Sequence, residues 1–368
     1  MNDHAYMARA LQLAAQGLYS THPNPRVGCV IVKDGTIVGE GWHQLAGTAH
    51  AEVHALRAAG TQAQGATAYV SLEPCSHQGR TPPCADALIQ AGVARVVIAM
   101  QDPNPQVAGQ GLQRLTQAGT GVQVLTGALS QQAEQLNRGF VKRMRSGLPW
   151  VQVKLAMSLD GRTAMASGES QWITGAPARA DVQRLRAQAS AIISGANTVL
   201  TDNARLTVRA NELDLPELEK HWALQRTPMR VLIDGRLRVP HEHVFFQNAE
   251  AWLASYQQPK QLANGIHWLN IPENQGHVDL TLLLQTLAQQ HAVNEVLVEA
   301  GPQLAGAFLQ AGLVDEVVVY MAAKLLGSQA NPLFALPFST MAQAIELNIQ
   351  DIRAIGADWR ITCTTKAS

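Results

Sequence analysis

The chain has 368 residues, 46% of them apolar, with 28 Lys plus Arg against 28 Asp plus Glu, so its formal net charge is zero. That length exceeds one ordinary core and predicts two domains, and the lack of a basic excess argues against nucleic acid or an anionic membrane as partner. Four cysteines (Cys29, Cys75, Cys84 and Cys363) do not make a disulfide framework, and no apolar run approaches the roughly 18 residues of a membrane span.

The N-terminal MNDHAYMARALQLAAQGL lacks the charged start and unbroken apolar core of a signal peptide. It reads as an amphipathic helix, and a cytoplasmic location is the expectation. VGCVIVKDGTIVGEGWH follows, two apolar stretches around Asp34-Gly35 that predict a β-hairpin. HAEVHALRAAG has helical spacing with Gly60 as C-cap, ATAYVSLEPC reads as a buried strand, and PPCADALIQAG as a helix with proline in its first turn. VARVVIAM, GQGLQRLTQAG and VQVLTG continue the strand–helix alternation of a three-layered α/β domain. A long polar helix, ALSQQAEQLNRGFVKRMRSG, ends in a basic run read as a solvated helix end, and a domain boundary is placed at Gly147.

The second part restarts with the strand WVQVKLAMSLDG, the helix ARADVQRLRAQA, and the strands AIISGA and MRVLIDG. EVLVEAGPQLAGAFLQAG reads as strand–turn–helix, and VDEVVVYMAAKLLG and DWRITCTTK as late strands. The polar stretches near 210–228 and 255–277 are expected to be loops.

His50, Cys75 and Cys84 are soft or borderline ligands that suit Zn²⁺, and three protein ligands leave one tetrahedral position open for water. His50 and Cys84 fall at expected helix starts, where the dipole and free N–H groups stabilise thiolates. Glu52, two residues beyond His50, is placed to shuttle protons in a hydrolytic deamination. His-x-Glu followed by Pro-Cys-x-x-Cys, with the glutamate as general acid/base, is the pattern of zinc nucleobase deaminases. Two bland readings stay open: buried core thiols, or a structural zinc with His54 or His77 as fourth ligand.

The spacing departs from that of free-nucleoside deaminases, which place two residues between their cysteines; here residues 76 to 83 intervene. HPNPRVGCV, HAE and EPCSHQGRTPPC resemble the deaminase domain of the bifunctional riboflavin-biosynthesis deaminase/reductase family, which carries this long loop. The resemblance implies zinc ligands His50, Cys75 and Cys84, with Glu52 as catalytic proton shuttle. It also implies that Asn24, His43 and His77 contact the pyrimidine or its ribose phosphate.

In the second half, Gly301-Pro302 between a buried strand and a helix makes a phosphate site of weak specificity, and it is no Rossmann fingerprint. With KLAMSLDGRTA, GESQWIT and GANTVLTDNARLTVR it resembles the reductase half of the same family, which is similar to dihydrofolate reductase in fold and uses NADPH. The implied fold class is therefore α/β: a three-layer cytidine-deaminase-like zinc domain over 1–146, then a dihydrofolate-reductase-like domain over 147–368. Implied cofactor contacts are Ala156, Trp172, Thr198, Asp202 and the turn Gly301, Pro302, Gln303, Leu304, Ala305, Gly306 and Ala307. Implied substrate contacts are Ser170, Arg186, Leu206, Arg209 and Glu299, the two arginines clamping a ribose phosphate. Lys154 is a further candidate for proton delivery or phosphate contact.

The expected function is deamination of a phosphoribosyl diaminopyrimidinone at its 2-amino group, then NADPH-dependent reduction of the ribosyl unit to ribityl. The family implies a homo-oligomer acting on small molecules. A zinc nucleoside or tRNA deaminase with a degenerate reductase-like domain is the alternative, and a nucleotide- or RNA-binding module with structural zinc is a third.

Overall fold

The computed structural model describes residues 3–76, 83–105, 107–247 and 249–365. The chain forms two compact units. One comprises the residues up to Gly147 with His221–Arg226, and the other Leu148–Lys220 with the residues from Thr227 onward.

The first unit runs α1 (Asp3–Ala15), β1 (Gly28–Lys33), β2 (Thr36–Trp42), α2 (Ala51–Ala59), β3 (Thr67–Val70), α3 (Cys84–Gln90), β4 (Arg95–Ile98), α4 (Gln110–Gln117), β5 (Gly121–Val124), α5 (Ala128–Leu136) and α6 (Arg138–Ser146). Its sheet has the order β2-β1-β3-β4-β5, antiparallel from β2 to β3 and parallel from β3 to β5. Asp34 and Gly35 both take positive φ, 49° and 78°, as a tight two-residue hairpin turn requires. Alternate residues of β1 face opposite cores. Cys29 and Ile31 pack with Ala51, Ala55, Ala85 and Leu88, whereas Val30 and Val32 pack with Met7, Ala10 and Leu11. A strand apolar on both faces needs helices on both sides, and the three-layer arrangement follows.

Two glycines seat α2 on β2. A Cβ at Gly39 would stand 2.2 Å from the Ala55 carbonyl oxygen, and one at Gly41 2.5 Å from that of Ala51. Glycine at these alternate positions lets the helix backbone lie directly on the strand, and this fixes where His50 and Glu52 stand.

Three expectations need correction. The long helix from Ala128 is two helices, because Asn137 leaves the helical region (φ −107°, ψ 20°). Its side chain accepts from Arg26 N (2.7 Å) and donates to Arg26 O (3.0 Å), a tertiary bond that outweighs helix continuity. Pro83 is the N-cap of α3 rather than part of its first turn. The stretches expected as loops contain a helix over 217–223 and a strand over 266–270. Trp222 stands edge-on to Trp42 with ring centroids 5.4 Å apart, a packing contact that local polarity hid.

The second unit runs β6 (Trp150–Ser158), β7 (Arg162–Ala164), α7 (Ala176–Gln188), β8 (Ala191–Gly195), α8 (Ala196–Asp202), α9 (Glu217–Ala223, whose end counts with the first unit), β9 (Met229–Ile233), β10 (Ala251–Ser255), β11 (Ile266–Asn270), β12 (Glu273–Asn274), β13 (His277–Val278), α10 (Leu280–Gln290), β14 (Glu295–Glu299), α11 (Pro302–Gln310), β15 (Glu316–Ala322), β16 (Asn331–Pro332), β17 (Leu347–Ile355) and β18 (Asp358–Thr365). Nine of these strands form one sheet, ordered β11-β10-β9-β8-β14-β6-β15-β18-β17. It is parallel from β11 to β15 and antiparallel at β18 and β17. Ile193, Val296 and Val298 join Leu283, Leu287 and Phe308 in one core, while Ile192 and Leu297 join Val182 and Leu185 in the other. Ligands of such sheets bind outside the carboxyl ends of the parallel strands. Here those ends carry Glu299 on β14 and Gly195 on β8.

Gly41→Ala should loosen α2. Overpacking of this kind costs about 1–3 kcal/mol, and amide hydrogen exchange across residues 51–59 should accelerate while exchange in β14 stays as in the parent. Unchanged exchange in α2 would contradict the close seating.

Candidate functional site

His50 is the N-cap of α2, Cys84 the first residue of α3, and Cys75 lies beyond the end of β3. Their donor atoms lie within 4.8 Å of one another. His50 Nδ1 is 3.3 Å from Cys84 Sγ and 3.7 Å from Cys75 Sγ, and the Cys84 backbone N–H donates to Cys75 Sγ at 3.3 Å. Two thiols and one imidazole nitrogen at this separation suit a tetrahedral Zn²⁺. His54 is not part of the cluster, and His77 lies outside the described residues.

The electrostatics are those of a crowded negative site. Hydrogen bonds from Cys84 and His50 hold the Cys75 thiol below its usual range, while its charge and burial push Cys84 up. His50 is raised by its bond to Cys75. Glu52 is 3% exposed; burial and the Cys75 charge raise its carboxyl to about 7. Burial lowers His43 to about 4, so it is neutral at pH 7. Asn24 Nδ2 stands 3.0 Å from His43 Nε2, His43 Nδ1 3.2 Å from the Ala49 carbonyl, and the His43 ring centroid 5.2 Å from that of His50. The sequence-expected Asn24, His43, His50, Glu52, Cys75 and Cys84 are thus brought to one place.

Glu73 escaped the sequence reading. Its buried carboxylate accepts backbone N–H bonds from Asp102 (3.1 Å), Gly109 (3.0 Å), Gly111 (2.9 Å) and Leu112 (3.3 Å). The available signal was an acidic residue ending the apolar strand YVSLE.

In the second unit, Glu299 at the end of β14 is 7% exposed and bidentate with Arg186: Nε to Oε1 at 2.5 Å and Nη2 to Oε2 at 3.0 Å. Lys154 Nζ is 3.8 Å from Glu299 Oε2, since β6 and β14 pair Lys154 with Glu299. Burial works against the Glu299 charge, but Arg186 and Lys154 overcome it and hold the carboxyl below its usual range. Burial lowers Lys154.

Asp202 accepts from Ser170 Oγ at 3.4 Å, and Thr198 Oγ1 accepts from Gly301 N at 3.0 Å. Trp172 is 60% exposed, with the Arg179 guanidinium 4.5 Å from its ring centroid and Lys324 Nζ donating to its carbonyl at 2.7 Å. Ala156 is half-buried opposite Tyr320.

Several expected contacts are turned inward. Arg186 spends three donors on Glu299 and the Thr207 carbonyl, so its first partner is the glutamate. Arg209, half-exposed, bonds Glu212 at 2.7 Å. Leu206 takes a left-handed φ of 54° and buries its side chain in the core. In the turn, Gly301 is the N-cap and Pro302 the first helical residue, and Asn197 Nδ2 donates to Gln303 at 3.3 Å. Leu304 packs against the core, Ala305 lies within it, and Gly306 lies where a Cβ would meet the Ala335 carbonyl at 2.4 Å. Ala307 is half-buried.

Comparison with known proteins supplies the family. Residues 149–361 match the RibD C-terminal domain, and residues 1–100 match the cytidine and deoxycytidylate deaminase zinc-binding region. Riboflavin biosynthesis protein RibD of Escherichia coli K12 is 58% identical over 97% of this chain and 98% of its own length. The chain belongs to the RibD family. The Haemophilus influenzae RibD is 49% identical over 99% of this chain and 98% of its own. A solved Acinetobacter baumannii RibD superposes with a TM-score of 0.91 at 47% identity, covering 99% of both chains. A Thermotoga maritima structure, titled a diaminohydroxyphosphoribosylaminopyrimidine deaminase/5-amino-6-(5-phosphoribosylamino)uracil reductase, gives 0.85 at 31% identity, covering 99% of this chain and 98% of that one.

The two-part α/β fold class is therefore as expected, and the protein is a bifunctional enzyme of riboflavin biosynthesis, a deaminase and a reductase. Its cofactors are Zn²⁺ for the first activity and NADPH, as in the family, for the second. The nucleoside or tRNA deaminase reading is not favoured. No helix among the described residues is long and apolar enough to cross a membrane.

Metal analysis after dialysis should find a single Zn²⁺ per chain in the parent and loss of it in Cys84→Ala. Parent-level zinc in that variant would contradict the ligand set.

Proposed function

We propose that residues 1–146 deaminate 2,5-diamino-6-(5-phosphoribosylamino)pyrimidin-4(3H)-one and that residues 147–368 reduce the ribosyl chain of 5-amino-6-(5-phosphoribosylamino)uracil. The enzyme works in the cytoplasm as a homo-oligomer. One observation carries the first assignment: the donor atoms of His50, Cys75 and Cys84 meet within 4.8 Å, with Glu52 buried beside them.

In this reading His50, Cys75 and Cys84 hold Zn²⁺, a Lewis acid that makes water nucleophilic near neutral pH. Glu52 takes a proton from the attacking water, protonates the ring nitrogen, and passes a proton to the departing amine. A C–O bond forms, the C–N bond breaks, and ammonia leaves. Asn24, His43 and His77 orient the pyrimidine or its ribose phosphate.

NADPH supplies the hydride for C1 of the opened ribosyl unit. Trp172 and Ala156 bound the nicotinamide, while Thr198, Asp202 and the turn Gly301 to Ala307 carry the rest of the cofactor. Within that turn Ala305 and Gly306 act by packing the helix start into place, given their burial. Glu299 holds sugar hydroxyls or the amine, and Arg186 keeps it ionised and aimed. Arg209, with the larger exposure, reads the phosphate; Ser170 and Leu206 complete the pocket. Lys154, beside Glu299, is the candidate for proton delivery.

Glu52→Ala should retain Zn²⁺ and NADPH oxidation while ammonia release from the diaminopyrimidine falls at least about 10²-fold. Loss of metal from the variant would make Glu52 a ligand and overturn its role as proton shuttle.

A further inference from the structure

The start of α4 is capped from a distance. Its N-cap is Gly109, with φ 79° and no side chain to offer the free N–H groups of the first turn. Glu73 supplies the missing acceptors. Its Oε1 takes Gly111 N and Leu112 N, and its Oε2 takes Gly109 N and Asp102 N. The left-handed backbone at position 109 suits glycine and rules out an ordinary Ser, Asp or Asn cap, which needs an extended N-cap residue. Capping from residue 73 does more, because residue 73 lies two positions before the ligand Cys75.

Other bonds fasten the same short segment in place. Glu73 N donates to Met100 O, just beyond β4, at 3.0 Å. Gly111 approaches so closely that a Cβ there would stand 2.1 Å from the Pro74 carbonyl oxygen. Arg114 Nη1 donates to Ser76 O at 3.0 Å, and its other end bonds Asp86 of α3. On the far side Ala85 N donates to Cys75 O at 3.1 Å, tying the two cysteines' segments together. The segment 73–76 is therefore held between α3 and α4.

We infer that Glu73 is a positioning residue for the metal centre: by docking α4 onto the end of β3 it fixes the Cys75 thiolate against His50 and Cys84. The inference rests on the zinc-ligand reading proposed above. Glutamine at position 73 keeps the size but leaves one acceptor oxygen and turns an NH₂ donor toward two N–H donors. Pro74 and Cys75 then lose their fixed place, and the metal loses the orientation of one ligand. Groups that orient metal ligands are typically worth about 10–100-fold in metal affinity.

The test uses the full-length protein with Zn²⁺ competed by a chromophoric chelator, and with Co²⁺ substituted so that thiolate-to-metal charge-transfer absorption reports bound cysteine. Glu73→Gln should bind Zn²⁺ about 10–100-fold more weakly and lose charge-transfer intensity, while NADPH oxidation with the uracil substrate remains at the parent rate. Arg95→Gln, which removes bonds to Asp3 at 3.1 and 2.6 Å elsewhere on the sheet, is the control for stability alone. It should lower the melting temperature and leave zinc affinity and the Co²⁺ spectrum unchanged. Parent-like affinity and spectrum in Glu73→Gln would overturn the inference, as would equal zinc loss in Arg95→Gln at an equal drop in melting temperature. If Glu73→Gln does not fold, Glu73→Asp, which keeps the charge but shortens the reach, is measured by the same criteria. Cys75→Ala separates the two levels. If it loses zinc while Glu73→Gln keeps it, only the positioning role fails; if the parent itself binds none, the ligand reading fails.

Discussion

The first unit is organised around acidic groups gathered in one place. Cys84 and Glu52 are buried, and the half-buried Cys75 and His50 complete the cluster. Burial penalises each ionised group and Cys75 adds to that penalty at Glu52 and Cys84, which are pushed up, while Cys75 is held down by its hydrogen bonds. A bound dication reverses that penalty and makes three costly groups mutually supportive. The surrounding chain is built to keep them there. Gly39 and Gly41 let α2 lie on the sheet, and Ala85 N and the Glu73 bonds hold the Cys75 segment.

The second unit meets the same constraint with protein charges. Glu299 is buried, and Arg186 answers it with two directed bonds, with Lys154 close by through strand register. Breaking one partner of such a set leaves an uncompensated buried charge, which costs far more than the pair contributes. The arrangement also explains why an arginine read from sequence as a phosphate clamp faces the protein. Its guanidinium is required where the glutamate is.

Much of this was legible in residue order, because strands and helices announce themselves by periodicity. The apolar run Cys29, Val30, Ile31 and Val32 with the Asp34-Gly35 turn announced a hairpin, and the structure buries that strand on both faces. His50, Glu52, Cys75 and Cys84 were legible because their residue types are chemically specific and fall at element ends. What escaped depends on distant partners. Asn137 breaks a helix through bonds to Arg26, Trp222 stands against Trp42, and Glu73 serves N–H groups beyond residue 100. The orientations of Arg186 and Leu206 were likewise hidden, since a side chain's direction within a core follows from neighbours that the local sequence does not name.

The central claim is that two chemically independent sites share one chain, the first needing metal and the second none. Chelation tests it directly. The full-length protein, stripped of zinc and verified as folded, should release no ammonia from the phosphoribosyl diaminopyrimidine and recover on addition of Zn²⁺. The same stripped sample should oxidise NADPH at the parent rate when given the deaminated uracil. Loss of NADPH oxidation by folded, zinc-free protein would contradict the account, because it would make the reduction depend on the metal centre.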